Sequence, residues 1–372
     1  MKSKKNQLPF KIVRNNKKSL VEQMTDGLRN AIMDGHYPVG GYLPRQQELA
    51  EAAGVSIRIA REAIAWLRDE GLIEPKRHIG AKILPKGAHI WRGHVLSVVL
   101  QGAELSFWSN TIFVTIQQHL CNAGYFFSRI VLPKSGQNRW DTRALDTILR
   151  ERFDLAIIPS GYAPLVQKIK LSQTPYLIHQ NHKSSAPLEI AAIRYDFQDA
   201  ATEFAESCKK NRIRSVVEIS HAKDIFHVTS TLRRLGIKTS SIHIPKRGFD
   251  THTYLKNLMQ DSIAATAKIL GRKGRPELIY FSDDFVANGG LMALLANGID
   301  IPRDLGVVSL SNSGFLPVFT KSLSRFEVCP ARDGETIAEA ALDFLSGKKI
   351  QPIVNLTVSY IPGDSFPAEN QR

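Results

Sequence analysis

Apolar residues first recur at helical spacing from Ser19 onward, where Leu20, Met24, Leu28, Ala31 and Ile32 form one stripe that stops near Gly35 and predicts an amphipathic helix. The stretch "GHYPVGGYLP" is too rich in Gly and Pro to continue it and reads as a connector. After Pro44, "RQQELAEAA" predicts a short second helix with Leu49, Ala50 and Ala53 inward, ended by Gly54. In "VSIRIAREAIAWLRDEGLIEP" (55–75), Ser56 is placed to cap a third helix whose buried stripe is Ala60, Ala63, Ile64 and Leu67, with Gly71 just past its end. Ile57, Arg58, Arg61, Ala65 and Arg68 then face outward. Residues 72–74, the basic turn "PKRHIG" and "AKIL" read as a short hairpin.

The pattern changes after "PKGAHIWRGH", which has no period and reads as a linker. From "VLSVVL" (95–100), short β-rich apolar runs alternate with helix-length amphipathic ones. Strands are expected at 125–132, 155–159, 176–179, 215–219, 278–281 and 306–310; helices are expected near 110–122, 141–151, 197–211, 225–235, 251–270 and 284–297. Buried apolar strands separated by helices imply parallel α/β layers. The alternation restarts after "IRYDFQDAATEFAESCKKNRIRSVVEIS", which implies two lobes, and such lobes bind small molecules beyond the carboxyl ends of their strands. The expected organisation is therefore residues 1–85 as a winged helix-turn-helix, 86–93 as a linker, and 94–366 as a two-lobed α/β body.

Charge sharpens the first part of this picture. The 372 residues carry 49 Lys+Arg against 35 Asp+Glu, net +14; residues 1–92 hold 17 basic and 9 acidic side chains, so +8 falls on the N-terminal quarter. That density suits a segment that meets a polyanion. Three helices and a hairpin form the winged helix-turn-helix plan, whose third helix fits the DNA major groove. On this reading Arg58 and Arg61 reach guanine edges or phosphates, and Lys76, Arg77 and His78 in the wing reach the backbone or minor groove.

The stretch 21–75 resembles the DNA-binding domain of the GntR family of bacterial regulators. The marks are Gly35, Pro38–Gly40, Leu43–Pro44, Glu48–Leu49–Ala50, Gly54–Val55–Ser56, Arg61–Glu62–Ala63 and Glu70–Gly71–Leu72. The resemblance implies that Arg45, Gln46, Gln47, Ser56, Ile57, Arg58 and Arg61 face DNA. It also exposes departures: Gln47 and Ile57 stand where the family usually has arginine, His78 and Ile79 replace a glycine-rich wing tip, and Arg45 and Arg58 replace small or hydroxylated residues. The groove-facing chemistry is rearranged.

Residues 94–366 resemble the effector domain of LacI-family repressors and periplasmic sugar-binding proteins. The strongest stretch is "PELIYFSDDFVANGGLMALLANGIDIPRDLGVVSLSNSG", supported by "AEAALDFLSGK" and "VNLTVSYIPGDS". A GntR head on such a body is the architecture of arabinose-responsive repressors. The resemblance implies ligand-stacking roles for Phe107, Trp108 and Phe249, and places His179, Asp196 and Asp283 where the family has ligand or crossover residues. Ser311, with Asn312 beside it, replaces an acidic residue; Lys223 and Asp224 fall nearest a missing ligand-clamping arginine. Aromatic faces suit the C–H faces of sugars.

Several chemistries find no support in the sequence. Cys121, Cys208 and Cys329 are odd in number and widely spaced, which argues against a disulfide framework or zinc site. His179 and His182 lack a third ligand, no phosphate-binding or nucleophile-turn motif occurs, and neither a metal, a cofactor nor catalysis is expected. The basic N-terminus lacks the apolar core of a signal peptide and no run of ~18 apolar residues occurs, so a cytoplasmic protein is expected. The expectation is a transcriptional regulator that binds double-stranded operator DNA as a homodimer and responds to a small molecule, a sugar or sugar derivative. The alternatives are a solute-binding protein and a regulator whose body has lost its effector and only dimerises.

Overall fold

The computed structural model describes residues 8–14, 18–76, 80–85, 91–101, 107–136, 139–159, 162–179, 189–221, 228–245, 251–272 and 274–366. Its chain divides into two compact units, Met1–His94 with Gly124–Phe126, and Val95–Ala123 with Phe127–Arg372.

The first unit holds α1 (Leu20–Met33), β1 (Tyr42–Leu43), α2 (Gln46–Ala53), α3 (Ile57–Asp69), β2 (Ile73–Lys76) and β3 (Gly80–Ile83). Helix α1 starts at a capping box: Ser19 Oγ accepts from Glu22 N at 3.2 Å, and Glu22 Oε2 accepts from Ser19 N at 2.6 Å. Gly54 ends α2 with φ of 64°, a conformation that costs a side-chain residue strain, and so turns the chain into α3 within three residues. Ser56 caps α3, its Oγ accepting from Ile59 N. The hairpin pairs Ile73 with Ile83 and Lys76 with Gly80, and β1 adds Tyr42 opposite Lys82. Met24, Leu28, Leu49, Ala60, Ala63, Leu67, Ile73 and Ile83 close the core.

One charge is part of that packing. Arg29, 9% exposed, donates from Nε and Nη2 to both carboxylate oxygens of Glu70, at 2.9 and 2.5 Å, and from Nη1 to Asp26 at 2.5 Å. The fork ties the middle of α1 to the end of α3, a bidentate geometry lysine cannot reproduce.

The second unit has two lobes, each built on a six-stranded sheet. Lobe 1 contains β4 (Gly93–Leu100), α4 (Phe107–Asn122), β5 (Tyr125–Leu132), the small ribbon β6 (Lys134–Gly136) and β7 (Arg139–Trp140), α5 (Arg143–Ile148), β8 (Leu155–Ile158), α6 (Ala163–Leu171), β9 (Tyr176–His179) and β10 (Glu189–Asp196). Lobe 2 follows with α7 (Gln198–Lys210), β11 (Ser215–Ser220), α8 (Val228–Arg234), β12 (Lys238–His243), α9 (Thr251–Leu270), β13 (Leu278–Phe281), α10 (Asp284–Ala296), β14 (Gly306–Asn312) and β15 (Ser324–Val328). The chain then returns through α11 (Pro330–Leu345) and β16 (Ile353–Thr357) to lobe 1, and ends in lobe 2 with β17 (Ser359–Ile361).

Strand order is β16-β10-β9-β8-β4-β5 in lobe 1 and β12-β11-β13-β14-β15-β17 in lobe 2. Central strands such as β8 (LAII) and β13 (LIYF) are buried along their whole length, as parallel strands covered on both faces must be. Three crossings join the lobes, at Phe197, Cys329 and Val358. Helix α11 lies against α4 at a point where a Cβ on Gly334 would fall 2.7 Å from Thr115 Cβ and 2.9 Å from the Ile112 carbonyl, so only glycine permits the approach.

Candidate functional site

In the first unit, the outward face of α3 carries Ile57, Arg58 and Arg61, all exposed. Arg58 and Arg61, three residues apart on a helix, share one side of it. Among the described residues neither guanidinium is drawn into an ion pair, which leaves both free for an external anion. Ser56 is occupied by its cap. Arg45, at the start of α2, is exposed and its backbone N–H is satisfied by Glu48 Oε2 at 2.9 Å. Gln46 is half-buried, and exposed Gln47 leans on Glu51 at 3.3 Å. Lys76 pairs with Glu74 at 3.1 Å on the exposed hairpin, a contact too solvated to immobilise it. Arg77 and His78 lie outside the described residues.

In the second unit, the carboxyl ends of β13 and β14 build a polar wall. Asp283 is the N-cap of α10: its Oδ1 accepts from Phe285 N at 2.8 Å and Val286 N at 3.4 Å. Its neighbour Asp284 is 1% exposed, and its Oδ2 accepts from the backbone and side-chain nitrogens of Asn312 at 3.2 and 2.5 Å. Burial pushes the Asp284 carboxyl up to about 7, against the pull of the Asn312 hydrogen bond. With its amide nitrogen given to Asp284, Asn312 keeps a carbonyl oxygen that has no partner among the described residues, as does the Ser282 hydroxyl. Both atoms are themselves buried, so the strand ends hold these polar groups beneath the surface. Ser311 backs this group from inside: the residue is fully buried, its hydroxyl donates to Ser309 at 3.2 Å, and its side chain also helps hold the Asp284 carboxylate.

The aromatic pair divides. Phe107 stacks on Phe315 of lobe 2, centroids 5.4 Å apart at 26°, and Phe315 leans on Phe285 at 5.8 Å. Trp108 turns instead toward the crossings, packs against the lobe 2 core, and donates its indole N–H to Tyr195 Oη at 2.6 Å. Tyr195 in turn donates to Asp333 Oδ2 at 2.6 Å. Burial raises Asp333 to about 6 and carries the Tyr195 phenol well above its ordinary value.

Asp196 is exposed at the first crossing, where Oδ1 accepts from Gln198 N at 3.0 Å. His179 ends β9. Lys223, Asp224 and Phe249 lie outside the described residues. Tyr195, Asp284, Phe315 and Asp333 are not singled out by the sequence pattern. Asp284 had a signal, since an acidic residue one place into a helix after a buried strand has no solvent to face; the Tyr195–Asp333 pair had none.

Residues 20–83 match the model for bacterial regulatory proteins of the gntR family, and residues 203–366 match the periplasmic binding protein-like domain. The chain joins a GntR-type helix-turn-helix head to a periplasmic-binding-protein-like body. Among curated proteins, the catabolite control protein A of Priestia megaterium is 23% identical over 195 residues, 50% of this chain and 56% of that protein. The Uxu operon regulator of Haemophilus influenzae is 32% identical over 96 residues, 24% of this chain and 36% of that one. The chain thus spans about half or less of these relatives' length. Among solved structures, a LacI family transcriptional regulator from Bifidobacterium animalis superposes with a TM-score of 0.60 at 14% identity, covering 74% of this chain and 98% of its own. The complex of the transcriptional regulator CelR with cellobiose superposes at 0.59 with 14% identity, covering 87% and 100%. At such identities the likeness establishes the fold of the body. No helix among the described residues is long and apolar enough to cross a membrane.

Proposed function

We propose that the chain is a sequence-specific DNA-binding regulator of transcription, a repressor of carbohydrate-utilisation genes that acts as a homodimer on a two-fold operator and answers to a small polar ligand held between the lobes. What carries this reading is the presence on one chain of a GntR head with two unpaired arginines on its third helix and a periplasmic-binding-protein-like body with the exposed aromatics Phe107 and Phe315 stacked between its lobes. Exposed aromatic rings suit the C–H faces of a polar ligand such as a sugar. Ligand then shifts DNA affinity through its differential affinity for two states of the body. The relatives named as a catabolite control protein and an operon regulator, and the cellobiose complex of a structural neighbour, support this direction.

The test selects genomic fragments bound by the full chain and measures their release by cellobiose, lactose and ribose. Absence of salt-sensitive binding to any fragment rejects the head's role. A second reading, a body that only dimerises, is favoured by the burial of Ser311 and by the internal use of the Trp108 N–H. A ligand at 100 times its dissociation constant stabilises by about 2.7 kcal/mol, so a sugar and polyol thermal-shift panel with no hit supports that second reading.

A further inference from the structure

Two residues outside the strand-end wall control how its aromatic side is held. We propose that Tyr195 and Asp333 are positioning residues for the interlobe site, fixing the Trp108 indole through a hydrogen-bond chain that runs in one direction only. The proposal rests on the effector reading above for its purpose, and on geometry alone for its mechanism.

The direction follows from the groups. An indole N–H can only donate, so Tyr195 Oη must accept it and must send its own proton elsewhere. Asp333 Oδ2 receives that proton, and both links are 2.6 Å. Asp333 is 2% exposed and Tyr195 is half-buried, so water competes poorly for either link. Flipping the indole breaks its link to Tyr195 Oη while the Tyr195–Asp333 link stands, so the chain favours the orientation it holds.

The placement gives this a consequence. Trp108 lies in the first turn of α4, Tyr195 is the second residue before the crossing at Phe197, and Asp333 is in the first turn of α11, just after the crossing at Cys329. Tyr195 also meets Phe197 edge to face, centroids 6.2 Å apart. The close approach of Gly334 to Thr115 and Ile112 holds α11 against α4 beside the chain. Three segments that bound the crevice are thereby stapled together, and the staple sets the turn from which Phe107 reaches Phe315 across it.

The test uses the full chain labelled with 15N-tryptophan. Its four tryptophans give four indole N–H resonances, with Trp108 assigned by Trp108→Phe. Tyr195→Phe, which removes one oxygen, is expected to shift and broaden the Trp108 resonance and leave those of Trp66 and Trp140 in place. Asp333→Leu is expected to do the same, whereas Asp333→Asn, whose amide oxygen still accepts, restores the wild-type position. An unmoved Trp108 resonance in Tyr195→Phe overturns the proposal, and so does an Asp333→Asn spectrum that matches Asp333→Leu. Calorimetry with cellobiose, lactose and ribose adds the functional readout: for a sugar bound by the wild type, Tyr195→Phe weakens affinity roughly tenfold, equivalent to ~1.4 kcal/mol, while Asp333→Asn preserves it. A spectral shift with unchanged affinity reduces the chain to a structural staple and overturns its role in binding. If the wild type binds none of the three sugars, the carbohydrate reading fails, and the resonance comparison still decides the hydrogen-bond chain.

Discussion

Phe107 and Phe315, 208 positions apart in sequence, stack face to face from opposite lobes with centroids 5.4 Å apart. At 37% and 40% exposed, both residues stay within reach of solvent, so the contact joins the lobes without burying either. Aromatic pairs of this kind are worth ~0.5–1.5 kcal/mol beyond area burial. A double-mutant cycle of Phe107→Ala and Phe315→Ala, read by denaturant unfolding, is expected to return a coupling in that range. Strict additivity of the two substitutions rejects the stack as an energetic link.

On the head, at least one of Arg58→Ala and Arg61→Ala is expected to cost about 1–3 kcal/mol against a selected operator and to relax preference at one base pair. Lys76→Ala is expected to weaken all sequences alike and to lower the salt slope by about 1. Fluorescence anisotropy against single-base operator variants separates the two behaviours. If neither arginine variant changes base preference, readout lies elsewhere than on α3.

The Arg29 fork predicts a local stability effect. Arg29→Met leaves Asp26 and Glu70 without their shared cation and is expected to destabilise the head by about 2–3 kcal/mol. The figure falls below the ~3–5 kcal/mol of a fully buried pair because both carboxylates, 29% exposed, recover some water. Arg29→Lys should rescue little of it, since one ammonium cannot span both partners. Hydrogen exchange of α1 and α3 amides measures the loss, and protection equal to wild type in Arg29→Met contradicts the assignment.

A pH dependence follows from Asp284. Its folded value of about 7 lies above the ordinary carboxylate value of ~3.9, so the folded chain holds this proton more tightly than the unfolded one. The group's contribution is fully present below ~4, declines as pH rises, and is lost by about 7, with a ceiling of about 4 kcal/mol over three units. Asp333, raised to about 6, acts with the same sign over a narrower window. Asp284→Asn keeps an acceptor for Asn312 and removes the titration, so its stability relative to wild type is expected to improve from pH 4 to pH 7. A constant difference across that range means that the folded Asp284 carboxyl titrates at its ordinary value and is not raised.

The elements that could be read from the sequence are those whose burial is one-sided or complete. The α3 stripe Ala60, Ala63, Ile64 and Leu67 and the runs LAII and LIYF announced themselves because packing wrote their period into the chain. Strand β12, KTSSIH, carries no readable period because it is an edge paired only with β11 and needs no apolar face. Strand β15 hides its alternation, Ser324, Phe326 and Val328 inward, behind Arg325 and Glu327, which pair with each other at 2.7 Å. The site was less legible than the fold. The sequence points to Asp283 and Asn312, yet the side chain that bonds Asn312 is Asp284, and Trp108 is held by residues 87 and 225 positions away.

The return of α11 and β16 to lobe 1 has a consequence for how the protein is made. On the ribosome, β10 emerges with a bare outer edge, because its neighbour β16 follows only after the whole of lobe 2 up to β15 has been translated. At about 5–20 residues per second that interval lasts on the order of ten seconds, during which an unpaired parallel strand and the uncovered flank of α4 stand open to other chains. Lobe 1 therefore cannot finish folding first, although it is synthesised first, and a cut at the first crossing leaves β10 without its outer neighbour.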